Sequence, residues 1–387
     1  MHHRGSDGVG GAFPGIDYHT AAMARMGRRR ALALGGALAA SAMLPACRRA
    51  PSPAKGLARF AEGLNNPRNI SFDDDGYLLV AEPGYGEGDN RTGRVSRIGP
   101  DGVRTTVVGD LPYGFDPEGE HVGLTAALAR GEEILILYGQ GAGDPFRHLL
   151  ILQPGVPLHT FNNLGVLTGS VVDLLGIKNP FDMAIAPDGW IWVVDSERNE
   201  ILRVSPNGRE RELVREPSVP EDSRRPADIP FGPEVPAGIA FGPDGYAYVA
   251  IFTRRPHIHR SSWVARVDRG GKMARAVLGL TMAIDVAFDR EGTHYVLEFS
   301  QDYDRRTPVT YMPSSGRVLR GWGRRLEVVA EGLNFPVGMA FGPDGDCYVS
   351  VNGAFAGPGE GWIARFTPPP NQSRAERASA AQILRMT

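Results

Sequence analysis

One phrase constrains the fold more than any other feature of this chain. "FGPDGYAYV" at residues 241–249 returns as "FGPDGDCYV" at residues 341–349. Aligned on the glycine that ends its turn, the phrase belongs to six units, at Gly76, Gly131, Gly189, Gly245, Gly292 and Gly345, with separations of 55, 58, 56, 47 and 53 residues. Each unit reads as an apolar strand, a tight turn and a second apolar strand. A period near fifty in an all-β pattern is that of a β-propeller, in which four-stranded blades surround a channel. Glycine ends the turn because that position takes positive φ. The 50 Gly and 31 Pro among 387 residues suit many short strands joined by turns.

Every second strand is followed by a third: "GRVSRI" (93–98), "HLLIL" (148–152), "EILRV" (200–204), "WVARV" (263–267), "GRVLR" (316–320) and "GWIARF" (361–366). A fourth precedes the next unit in five cases: "RTTVVGDL", "VVDLLGI", "RELVRE", "ARAVLGL" and "LEVVAEGL". The missing sixth stands at the front, as "LARFAEGL" (57–64). The fold class expected is therefore all-β: a six-bladed β-propeller with four antiparallel strands per blade, occupying residues 57–367. The N-terminal strand completes the last blade and removes its free edge.

The segments outside the repeat have their own signatures. Arg28, Arg29 and Arg30 precede "ALALGGALAASAMLPA" (31–46), which ends at Cys47. A basic region, an apolar run too short for a comfortable span and small residues before the cut make an export signal. "LPAC" resembles a bacterial lipobox, with Pro45 an unusual member, and would leave Cys47 as a lipidated N-terminus anchored in a membrane. "RRRALAL" also resembles a twin-arginine signal. Residues 1–47 are thus expected to be leader and signal, with translation starting at Met23 or Met26. Residues 48–56 are expected to be a linker and 368–387 a polar tail. A net charge of −2 gives no reason to expect nucleic acid as a partner.

The stretches "GLNNPRNISFDDDGYLLVAEPG", "NPFDMAIAPDGWIWVVDSERNEILRVSPNG", "VPAGIAFGPDGYAYVA", "IDVAFDREGTHYVLEFS" and "GLNFPVGMAFGPDGDCYVSVNG" together resemble the ScyD/ScyE family of secreted bacterial propellers, related to NHL-type propellers. They touch five of the six units, in the family's order. The resemblance implies a propeller fold and export. It implies no biochemical activity, because none is established for the family.

Candidate chemistry sits where the first strand of a blade starts and the second ends. Seven residues before and six after each turn glycine, the odd blades give Asn69/Glu82, Asp182/Asp195 and Asp285/Glu298. The even blades give Leu124/Leu137, Gly238/Ile251 and Gly338/Val351. Five carboxylates gathered at one channel mouth must protonate in part, spread apart or bind cations, since two like charges about 4 Å apart cost roughly 4 kcal/mol at an effective dielectric near 20. Oxygen ligands favour Ca²⁺ or Mg²⁺ over zinc or copper, with Ca²⁺ the cofactor expected if the rim converges, and by analogy related six-bladed hydrolases and lactonases hold a divalent cation at the channel mouth. A cationic organic ligand is a second reading of the same set. In a third, acids just after a strand cap backbone N–H groups.

The same rim carries the long loops, which make the expected binding face for a small molecule, glycan or protein. Arg254, Arg255, Arg305 and Arg306 stand there to grip an anion or to be solvated. His121 is a candidate base at the channel mouth. His257 and His259 alternate and would face one side of an extended segment. Cys347, within a strand, reads as a small core residue. The chain shows no G-x-S-x-G elbow, no H-E-x-x-H and no phosphate-binding loop. The expectation is a monomeric exported propeller that binds a ligand. The alternative is a metal-assisted lactonase or hydrolase, or a quinone-dependent sugar dehydrogenase, using the acidic mouth.

Overall fold

The computed structural model describes residues 56–85, 91–115, 120–141, 146–152, 169–174, 176–215, 235–253, 257–304 and 310–370. Met23, Met26, Cys47, Arg254, Arg255, Arg305 and Arg306 lie outside the described residues, as do the leader, nearly all of the expected linker and residues 371–387 of the tail.

Six antiparallel four-stranded sheets form the blades of a propeller. In the first, the strands run from the axis outward in chain order as Ile70–Phe72, Leu78–Glu82, Gly93–Ile98 and Arg104–Leu111. The next four blades repeat this order, with inner strands Leu124–Arg130, Pro180–Ile185, Pro236–Phe241 and Ala283–Phe288. The sixth comprises Met339–Phe341, Cys347–Val351, Gly361–Phe366 and, outermost, the N-terminal strand Ala58–Leu64. Ala58 pairs with Arg365 and Leu64 with Gly361, so the two ends of the ring are hydrogen-bonded together. Each inner strand touches the next, and Met339–Phe341 returns to Ile70–Phe72.

The second strands explain why these sequences stack as blades. "LLVAE", "IWVVD", "AYVAI", "HYVLE" and "CYVSV" are buried at every position. A strand with a neighbour on each edge and a blade on each face has no wet side, so its sequence is continuously apolar rather than alternating. Between the third and fourth blades, Trp192 and Val194 pack with Ile239, Val249 and Trp263. Each such large side chain contributes about 1.5–3 kcal/mol on burial. The outermost strands, such as Arg325–Leu333, are mostly exposed or half-buried.

All six turn glycines have positive φ, from 58° at Gly131 to 86° at Gly345. The turns close by a backbone bond, as where Gly245 N donates to Gly242 O at 2.9 Å. Three details differ from the sequence expectation. The fourth strand of the second blade is Gly169–Asp173, two residues ahead of the apolar run that begins at Val171. Short ladders form within the long loops, Gly114–Phe115 with His121–Val122 and Tyr303–Asp304 with Thr310–Tyr311. The segment holding His257 and His259 is not extended: Arg260 has φ 63°, His257 is buried and His259 is exposed.

Candidate functional site

The six rim residues divide into two sets, and in the third and fifth blades a β-bulge divides them. In the third blade Pro180 pairs with Asp195 and Asp182 with Val194, with the register shifting between them. In the fifth, Ala283 pairs with Glu298 and Asp285 with Leu297, again across a shift. Directly paired residues share a sheet face and neighbours alternate. Asp182 and Asp195 therefore point to opposite faces, as do Asp285 and Glu298.

The second-strand acids are engaged by local donors. Glu82, Asp195 and Glu298 are fully buried. Each accepts from the backbone N–H seventeen residues earlier: Asn65 N at 2.6 Å, Lys178 N at 2.7 Å and Thr281 N at 2.6 Å. They close the same turn in alternate blades. Arg94 Nε and Nη2 reach Glu82 at 2.8 and 2.9 Å, and Ser96 Oγ donates at 2.5 Å. Glu298 takes Arg317 Nε at 2.5 Å and Gln301 Nε2 at 2.6 Å. Asp195 takes three further backbone N–H groups, from Asn179, Glu197 and Arg198.

The inner-strand residues Asn69, Asp182 and Asp285 are buried at the axis. Asp182 Oδ2 accepts from Ile239 N at 2.8 Å. Asp285 Oδ2 accepts from Met339 N at 2.6 Å and its Oδ1 from Val286 N at 2.7 Å. Each acid thereby ties its own inner strand to that of the following blade. Asn69 Nδ2 donates to Phe181 O at 3.0 Å, while its Oδ1 is buried with no hydrogen-bond partner. All three residues line a cavity of about 410 Å³ that follows the inner strands toward the tight turns, past Ile185, Phe241 and Phe288. Burial pushes the Asp182 carboxyl up to about 7. Burial, and then the charge of Asp182, pushes Asp285 well above the usual carboxylate range. Among the described residues, no three His, Cys, Asp or Glu side chains gather as a metal-binding group.

A second cavity, of about 170 Å³, lies at the long-loop end. Phe181, Phe252, Phe299, Tyr311 and Phe355 line it, with Arg68 and Glu120 as its charged pair. The wall is a continuous aromatic cluster: Phe299 meets Tyr311 edge-on at 5.3 Å between ring centres, and Tyr311 stacks on Phe355 at 6.0 Å. His257 Nε2 lies 3.2 Å from Tyr311 Oη and locks this wall from behind. Arg68 Nη2 donates to Glu120 Oε1 and to His121 O, both at 2.6 Å, and its Nε is buried without a partner. Such a concavity, mostly apolar with a few converging polar groups, is the usual form of a small-molecule site.

His121 joins neither group. Its ring packs on Phe115 at 4.7 Å and Tyr113 at 5.9 Å, and it lines neither axial cavity. Burial, and then the Arg68 charge, lowers its pKa. Cys347 is fully buried, and burial raises its thiol well above the ordinary value.

The long-loop cavity lies one residue beyond the positions the sequence pattern picks out. Arg68, Phe181, Ala237, Ile284 and Val337 stand eight residues before their turn glycines, and Ser196, Phe252 and Phe299 stand seven after. The signal was present in the repeat, displaced by one position on each strand.

No family model matches the chain, and no curated protein does. Its fold does match solved structures. The shared property is a six-bladed propeller. The chain is similar to a putative oxidoreductase (glucose dehydrogenase) from Thermus thermophilus, at 18% identity and a TM-score of 0.50, covering 80% of this chain and 98% of that one. It is similar to a gluconolactonase from Xanthomonas campestris, at 12% identity and a TM-score of 0.50, covering 81% and 89%. A luciferin-regenerating enzyme gives 11% identity and a TM-score of 0.50, covering 81% and 95%. Identities this low carry the fold and nothing about activity.

Proposed function

We propose that this chain is an exported, ligand-binding propeller of the ScyD/ScyE type, whose long-loop face receives a small molecule with an aromatic body and an acceptor group. The observation that carries the reading is the aromatic cavity of about 170 Å³ with the buried Arg68 at its edge. Rings of the ligand would stack against Tyr311, Phe355 and Phe181. An acceptor, such as a carboxylate, would take the N–H of Arg68 Nε that has no partner. Export rests on the basic and apolar leader and lipid anchoring on Cys47. Arg254, Arg255, Arg305 and Arg306, which lie outside the described residues, are the sequence's candidates for further positive charge toward an anionic ligand.

Ligand-observed NMR with a panel of small aromatic carboxylates tests the reading. Saturable binding without conversion of the ligand is expected, and it should disappear in Ala237→Phe, which fills the cavity from the fourth blade's inner strand. An unchanged binding profile in that variant would sink it.

The second reading, a metal-assisted lactonase or hydrolase or a quinone-dependent sugar dehydrogenase, draws on the axial carboxyl pair Asp182 and Asp285. The neighbouring structures described as a gluconolactonase and a glucose dehydrogenase fit it only distantly, at 12% and 18% identity. Two carboxylates and the Asn69 amide oxygen fall short of the six to eight oxygens that Ca²⁺ takes, so water would have to complete the shell. Turnover of a lactone or a sugar, lost on chelation, would favour this reading over binding.

A further inference from the structure

We propose that the axial cavity on the tight-turn side is a second binding site, for a small primary ammonium ion with an apolar body. Asn69, Asp182 and Asp285 present the acceptors at its inner end. Asn69 is 6% exposed, and its Oδ1 is a buried acceptor with no partner in a residue that lines the cavity. The carboxylates accept backbone N–H groups from Ile239, Val286 and Met339, yet a carboxylate offers about four lone-pair sites, so both retain capacity. Three acceptor groups match an –NH₃⁺ head, which has three donors and no acceptor.

Charge supports the same ligand. Among the described residues, no Lys, Arg or His lines this cavity. Buried carboxylates without a countercharge hold a proton or meet a cation, and burial raises the proton affinity of both acids, that of Asp285 further through the charge of Asp182. Phe72, Ile185, Phe241, Phe288 and Met339 line part of the space and give a hydrocarbon body apolar surface to meet. At about 410 Å³ the cavity has room for a ring or a short chain. This site is separate from the aromatic cavity at the long-loop end, and neither depends on the other.

Calorimetric titration of the full chain at about pH 8.5, above the value of about 7 to which burial pushes Asp182, tests the proposal. The probes are benzylammonium, benzyl alcohol and Ca²⁺. Benzylammonium is expected to saturate one site, with benzyl alcohol at least about tenfold weaker because it lacks the charge. Asp182→Asn/Asp285→Asn is expected to weaken benzylammonium by at least about tenfold. Ala129→Leu narrows the cavity without touching an acid, and should weaken it too even if the double variant folds poorly. Equal affinity for benzylammonium and benzyl alcohol would overturn the proposal. So would affinity unaffected by the axial variants, or one equivalent of bound Ca²⁺ with no ammonium binding.

Discussion

A Cβ on Gly238 would stand 2.3 Å from Asp285 Oδ1 and 2.5 Å from Asp285 Cα. The inner strands of the fourth and fifth blades therefore approach through a glycine. Gly338 does the same against Asn69, where a Cβ would meet the Asn69 Cα at 2.6 Å. Two of the three even blades follow this packing rule, meeting the buried polar side chain of the next blade with no side chain at all, whereas the second blade places the buried Leu124 at that position.

Gly238→Ala should accordingly destabilise the propeller by about 1–3 kcal/mol, the range for an overpacked core. The contact is with backbone as well as a side chain, so rotation of Asp285 cannot relieve it. Denaturant unfolding of the variant reads the cost directly. A change under about 0.5 kcal/mol, the scale of an ordinary surface substitution, would contradict the close approach.

The axial acids give a pH dependence of known sign. Burial raises Asp182 to about 7 and Asp285 well above its usual value, so the folded state binds more protons than the unfolded state above about pH 4. Their contribution to stability is fully present below the unfolded pKa and is lost as pH rises through the folded one. Asp182→Asn/Asp285→Asn should gain stability relative to wild type between about pH 4 and pH 8, by up to about 4 kcal/mol for Asp182 alone. Urea titrations of both proteins across that window measure the difference. A constant difference would contradict the buried, unpaired state of these carboxyls.

His294 supplies the opposite slope. It is fully buried against Trp322 at 4.7 Å and Phe288 at 5.1 Å, and burial lowers it from 6.5 to about 4. Protonation then favours the unfolded chain, so stability is lost as pH falls from about 6.5 towards 4. His294→Phe should remove up to about 3 kcal/mol of that loss. Thermal unfolding of the two proteins at pH 4.5 and pH 7.5 separates this effect from that of the acids. A parallel response in both proteins would rule the His294 contribution out.

Glu82 should act as a strut rather than as a ligand-binding group. Removing it in Glu82→Ala leaves Arg94, Ser96 and Asn65 N without their shared acceptor. The expected loss is about 2–3 kcal/mol, below the range for a fully buried pair because Arg94 is partly exposed. Binding at either cavity, measured by titration, should persist in the folded fraction. Loss of binding with stability intact would contradict the assignment.

The architecture was legible because a propeller writes its period into the chain. The recurring turn glycines marked each blade, and the unmatched strand at 57–64 marked the closure that Ala58–Leu64 makes with Gly361–Phe366. The site was legible only in part. Counting from the turn glycine found Asn69, Asp182 and Asp285 at the axis. It also paired them with Glu82, Asp195 and Glu298, because a bulge such as that between Pro180 and Asp182 leaves no mark at a fixed spacing. One inserted residue turns the partner acid to the other face. The aromatic cavity was hidden for a related reason. Phe181 reads as an ordinary strand residue, and Phe252, Tyr311 and Phe355 arrive from loops whose path no repeat encodes.

The measurement that tests the central claim most directly is a titration of phenylacetate into the protein with ¹³C-labelled Phe and Tyr rings. Saturable shifts confined to Phe181, Phe252, Phe299, Tyr311 and Phe355, and absent in Ala237→Phe, are the result the account predicts. Shifts that do not saturate, or that fall on rings outside this cavity, would contradict a binding site at the long-loop end.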